Sequence, residues 1–146
     1  MPAPLVIGWQ ETVDFLDWDI ERVRVKIDTG ARTSALDART CKLLETPDGV
    51  VAELGLALQR RRPERVTIIR APVLGMVLVK NTSGAWEERP LVETRIRLGP
   101  IVKVIRLTVA SRARMRFRVI LGRKALEGDF VVDVARKYLL KKNFHV

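Results

Sequence analysis

From Arg22 to Ile27 the chain alternates strictly. Val23, Val25 and Ile27 are apolar, and Arg22, Arg24 and Lys26 between them are charged. A period of two predicts a strand with one buried and one wet face. The same alternation returns at Val92, Thr94, Ile96 and Leu98, set between Glu93, Arg95 and Arg97. Shorter apolar runs predict further strands at Leu5–Val13, with Trp9 as a core or edge anchor, and at Cys41–Leu44, Val66–Ile69, Met76–Val79, Ile120–Leu121 and Phe130–Val134. Ile101 to Val109 is close to continuously apolar, which predicts a buried strand. Turn-forming residues separate these runs: the acid-rich stretch Phe15 to Ile20, Pro47-Asp48-Gly49 and Gly99-Pro100. Between Val79 and Pro90 the polar sequence around Asn81-Thr82-Ser83-Gly84 predicts a hairpin with a mobile tip. Lys124 to Glu127 fits one helical turn stopped by Gly128, and Tyr138 to Leu140 closes the fold. Many short strands and one late helix predict an all-β, closed or partly closed sheet, with residues 1–146 forming one domain.

Composition narrows the picture. Hydrophobic residues make up 47% of the 146, which argues for a packed core despite 30% charged residues. The net charge is +10, carried by 19 Arg and 8 Lys. Arginine favours bidentate contact with carboxylate or phosphate, so acidic partners are expected. Aromatic residues are only 5%, few for stacking on nucleic-acid bases. Cys41 is the single cysteine, so no internal disulfide is expected and a reducing, cytoplasmic setting follows. The first residues lack the charged and apolar regions of a signal peptide, and no apolar run is long enough to span a bilayer.

The candidate chemistry lies directly after the first alternating strand, at Asp28-Thr29-Gly30-Ala31. A carboxylate at a strand's mouth, beside a residue without a side chain, leaves room for water and substrate. Thr29 can hydrogen-bond back to the backbone and lock the turn. Two such acids about 3 Å apart cannot both ionise, so one keeps a proton and the other serves as base toward water. The same tripeptide also suits an ordinary strand-ending turn with an Asx-type hydrogen bond, and short motifs match by chance. A second arginine pattern, Arg112, Arg114, Arg116 and Arg118, alternates with apolar residues. A solvated strand face explains it more simply than an acidic-substrate track. The run Arg60 to Arg65 reads as a solvated loop.

Three segments together resemble the retropepsin-like aspartic peptidases: Lys26-Ile27-Asp28-Thr29-Gly30-Ala31, the hairpin around Asn81–Trp86, and Val119-Ile120-Leu121-Gly122-Arg123. More closely, the chain is similar to a bacterial, RimB-like family often labelled ATP-dependent zinc proteases and linked to RimK-type glutamate ligases. Gly8-Trp9-Gln10-Glu11, Asp28 to Leu36, Glu88-Arg89-Pro90-Leu91-Val92, Leu121 to Leu126 and Phe130-Val131-Val132-Asp133 carry this similarity in order along nearly the whole chain. It departs at Asp37, where the family often has His.

The resemblance implies a closed retropepsin-like barrel, peptide-bond hydrolysis, and a homodimer. Only one Asp-Thr-Gly occurs in the chain, so the second acid of a dyad would come from a symmetric copy. It further implies catalytic roles for Asp28, Thr29 and Gly30, substrate contacts from Ala31, Arg32, Asn81, Thr82, Ser83 and Gly84, and a structural role for Arg123; Arg112 and Arg114 join the expected substrate contacts from the arginine pattern instead. The zinc and ATP labels find no support in the residues. A zinc site needs three or four ligands, whereas this chain has one His, His145, one Cys and no HExxH. No phosphate-cradling loop occurs either, so no cofactor or metal is expected. A basic β-barrel that binds RNA or another polyanion without catalysis is the alternative, and a catalytically silent adaptor dimer is a third reading.

Overall fold

The computed structural model describes residues 3–59, 61–62, 64–81, 83–110 and 117–140. Its largest sheet begins with the predicted alternation. β2 (Gln10–Phe15) pairs antiparallel with β3 (Ile20–Ile27), and Val23, Val25 and Ile27 all point into the core. β3 then takes β10 (Val119–Leu121) as a parallel neighbour, and β10 is followed across the sheet by β4 (Ser34–Asp37), β9 (Ile101–Ala110) and β8 (Trp86–Leu98). β8 closes the ring by pairing Asp14↔Arg97 and Phe15↔Ile96 with β2. The result is a closed six-strand β-barrel. Its interior is filled by Val13, Phe15, Leu36, Ile96, Leu98, Leu107 and Leu121, all essentially without solvent contact. β8 also carries β7 (Thr67–Lys80), β6 (Gly49–Leu56) and β5 (Thr40–Thr46) as an extension beyond the ring. The one helix among the described residues, α1 (Arg123–Leu126), is a single turn, and Gly128 after it has φ +84°. No helix among the described residues is long and apolar enough to cross a membrane.

Three strand assignments change. Leu5–Val13 is two strands, β1 (Leu5–Gly8) and β2, because the chain changes partners at Trp9. β1 lies parallel to β11 (Phe130–Asp133), whereas β2 belongs to the barrel. Trp9 makes the switch with its own backbone: its N–H donates to Arg136 O and its carbonyl accepts from Ile27 N–H. The separate strands at Val66–Ile69 and Met76–Val79 are one long β7, bulged between Val73 and Gly75. Pro72 is accommodated there because pairing with β6 ends at that residue. Ile101–Val109 is buried only in its second half. Val102 is 49% and Val104 54% exposed, while Leu107 to Ala110, where β4 pairs with β9, are buried. The pattern also passed over β6, whose partners hide its inner residues Ala52 and Leu54.

Gly8 and the Leu139–Leu140 segment are tied to β2 by a buried acid. Glu11 accepts hydrogen bonds from the N–H groups of Gly8 (2.7 Å), Leu139 (2.9 Å) and Leu140 (3.4 Å). Alongside, Gln10 donates its side-chain amide to the Tyr138 hydroxyl and accepts Tyr138 N–H on its carbonyl. This closure by Tyr138–Leu140 is as the sequence predicted, although the carboxylate that fixes it stood out only as part of a motif.

Candidate active site

β3 and β10 run parallel and end together, Leu121 beside Ile27. The ladder makes one more bond, from Asp28 N–H to Leu121 O at 2.9 Å. The chain then turns. Gly30 N–H donates to Asp28 Oδ1 (3.0 Å), and Ala31 N–H to Asp28 O (3.2 Å). Asp28 is half-buried and Thr29 and Gly30 are exposed. The second carboxylate oxygen, Oδ2, accepts no hydrogen bond from the described residues. One oxygen is therefore fixed by the turn and the other has no partner among the described residues.

The far side of the turn is strapped to the start of α1. Arg123 N–H donates to Ala31 O (2.8 Å), Lys124 N–H to Arg32 O (3.1 Å), and the Arg123 guanidinium to Thr29 O (2.9 Å). The expected structural role of Arg123 is thus visible as a cation on a turn carbonyl. Gly122 allows the close approach: a Cβ there would sit 2.5 Å from Thr33 O and 2.9 Å from Ala31 O. Its N–H is received by the buried hydroxyl of Ser34 at 3.0 Å.

The fold therefore joins Asp28, Thr29, Gly30, Ala31 and Arg32 to Gly122, Arg123 and Lys124, which lie about ninety residues later. Asn81, Ser83 and Gly84 are placed elsewhere, in the tip between β7 and β8. There Asn81 Oδ1 accepts from Ser83 N–H, Ser83 Oγ–H and Ala85 N–H. These bonds order the tip among themselves. Thr82, Arg112, Arg114 and Arg116 lie outside the described residues, as does His145. Arg118 is described, and it is not a solvated member of a stripe: its guanidinium meets the buried carboxylate of Asp37 at 3.2 Å. Asp37 N–H also donates to Arg118 O, so Asp37 clasps β4 to the start of β10. Cys41 is exposed on β5, and partial burial pushes its thiol up, against service as a thiolate. Among the described residues no group of three or more His, Cys, Asp or Glu side chains could hold a metal ion.

A closed barrel with an Asp-Thr-Gly turn locked against an apolar-apolar-Gly strand defines a retropepsin-like protein. The chain belongs to the RimB-like family, described as "Retropepsin-like aspartic endopeptidase RimB", which it matches over residues 6–143. It is also 31% identical to a probable alpha-L-glutamate ligase of Desulfotalea psychrophila, over 91% of this chain but 29% of that protein. A probable alpha-L-glutamate ligase of Parasynechococcus marenigrum is 28% identical over 91% of the chain and 28% of its own length. The chain thus spans less than a third of these curated relatives. Among solved structures, the Legionella pneumophila protein Lpg0085, of unknown function, superposes with a TM-score of 0.79 at 22% identity, covering 94% of this chain and 99% of that one.

Proposed function

We propose that residues 1–146 form one aspartic endopeptidase domain that works as a homodimer, with Asp28 facing its own copy across a two-fold axis. The observation that carries this is the Asp28 carboxylate, with one oxygen held by Gly30 N–H and the other unpartnered among the described residues. A shared proton on the free oxygens makes one Asp28 an acid and the other a base. The base takes a proton from a water held between them, and the hydroxide attacks the peptide carbonyl. The acid polarises the carbonyl oxygen and protonates it as the tetrahedral intermediate forms. The Asp28 that gained the water's proton gives it to the leaving nitrogen, the other Asp28 takes a proton from a hydroxyl of the intermediate, and the C–N bond breaks to leave an acid, an amine and one shared proton on the pair. Thr29 braces the pair, Gly30 shapes its floor, and the hairpin tip at Asn81 to Gly84 closes over substrate and excludes water.

The dimer has a surface that suits it. β1 and β11 form a two-stranded parallel sheet joined to the site through Trp9 and α1, and on it Val6 and Val131, paired in register, are about half exposed. Parallel strands are usually covered on both faces, and two strands alone are marginal. A second copy supplies the cover.

The substrate follows from charge. Arg32 and Lys124 are exposed beside the turn, Arg123 lies across it, and the chain carries +10 overall. Such a rim favours acidic peptides, with Ala31, Arg32, Arg112 and Arg114 as contacts. The ligase relatives, which contain a stretch like this chain, support Glu-rich segments as the substrate class. The test compares wild type with Asp28→Asn on Glu-rich and neutral peptides of equal length. The variant should lose hydrolysis of both while staying folded; full retained activity would remove Asp28 from the mechanism. Chelators should leave the wild type unaffected.

A further inference from the structure

We infer that Ser34 is a positioning residue for Asp28, acting through a single peptide plane. The plane is the one joining Leu121 to Gly122. Its carbonyl accepts Asp28 N–H at 2.9 Å, and its N–H donates to Ser34 Oγ at 3.0 Å. A peptide unit is rigid, so the two hydrogen bonds cannot move independently. Rotating the plane toward or away from Ser34 tilts the carbonyl that fixes the backbone of Asp28. The carboxylate is bound to that same turn by Gly30 N–H, so its orientation follows.

Ser34 is well placed to hold the plane still. It is 2% exposed, and it starts β4, which is paired on both sides: with β10 through Ala35↔Ile120 and with β9 through Ser34↔Leu107. Its carbonyl accepts the Thr108 hydroxyl at 3.4 Å. The serine is therefore anchored to the barrel wall, whereas the turn it steadies is exposed at Thr29 and Gly30. Thr33, the neighbouring hydroxyl, is exposed and contributes its backbone carbonyl instead, against which Gly122 packs. The bonds run in one line, from Asp28 N–H through the amide to the hydroxyl, and bonds in such a chain polarise one another. Loss of the hydroxyl would leave a buried N–H unpaired at the base of the turn.

This rests on Asp28 being the catalytic acid, so the test has an arm that does not. In Ser34→Ala, amide hydrogen exchange at Asp28 should quicken at least tenfold, while Val23 and Val25 in the same strand keep their protection. Ser34→Thr should restore it. In the activity arm, Ser34→Ala should lower kcat at least tenfold with KM changed less than twofold, and shift the acid limb of the pH profile of kcat. A core variant of matched stability loss, Ile105→Val, should do neither. Unchanged exchange at Asp28 in Ser34→Ala overturns the proposal whether or not the protein is a peptidase. Normal exchange with lost kcat overturns it as well. Activity that survives Asp28→Asn would instead sink the catalytic reading, while the exchange result would still decide whether Ser34 positions the turn.

Discussion

Gly122 shows how narrowly one residue can set this site. A methyl group there would meet backbone oxygens of Thr33 and Ala31, and backbone cannot step aside as a flexible side chain does. Gly122→Ala should therefore cost about 2–3 kcal/mol, read as a lower urea midpoint at unchanged slope. It should also weaken the strap from Arg123 and Lys124 to the turn. Asp17 is a second informative residue, and its chemistry is pH-dependent. Burial pushes its carboxyl up, but the Arg95 N–H (3.0 Å) and guanidinium (2.8 Å), with the Thr94 hydroxyl, outweigh this and hold it below the usual carboxylate range. A group whose folded pKa is depressed stabilises fully above its unfolded value, and loses that contribution as pH falls through the folded one. The stability difference between wild type and Asp17→Asn should thus be present at pH 6 and shrink as pH falls below the ordinary carboxylate range of about 4 and through the lowered folded value. A difference that persists unchanged at pH 2 would mean that the ionised carboxylate does not matter.

At the scale of elements, β2 is the seam of the molecule. It pairs with β3 and β8 to shut the barrel, and through Glu11 it holds both β1 and the segment after β11. Removing the acceptor strands several buried N–H groups, so Glu11→Ala should cost at least about 3 kcal/mol in chemical denaturation. A cost under 1 kcal/mol would show that water replaces the carboxylate. The strand patterns were legible where one face is wet and one dry: β3 and the inner half of β8 alternate as their burial does. They failed where a strand changes partner, at Trp9, or where one strand runs through a bulge, at Val73 to Gly75. Periodicity reports which face is buried, not which strand lies alongside.

For the whole molecule, assembly and charge give the remaining expectations. Val6→Asp with Val131→Asp puts carboxylates on the sheet proposed as the dimer contact. It should shift sedimentation toward monomer and reduce hydrolysis in parallel. A variant that stays dimeric would place the contact elsewhere. If the basic rim steers acidic peptides, kcat/KM for a Glu-rich peptide should fall steeply as the Debye length shrinks from about 10 Å at 0.1 M salt to about 3 Å at 1 M, with a neutral peptide little changed. Equal salt responses would leave the arginines as a solvated surface.

The order of residues alone determined that the protein is built of strands, that Asp28 directly follows one of them, and that glycine stands at Gly30 and Gly122. Those features are local, written in alternation and in residue type. Tertiary structure alone decided that the peptide after Leu121 lies between Asp28 and Ser34, that Arg118 turns inward to Asp37, and that Glu11 gathers Gly8 and the Leu139–Leu140 segment. Each of these joins residues some eighty or more positions apart, or depends on which strands become neighbours when the barrel closes. The free energy of closure comes from burying many apolar side chains at once, a collective quantity that no single stretch of sequence expresses.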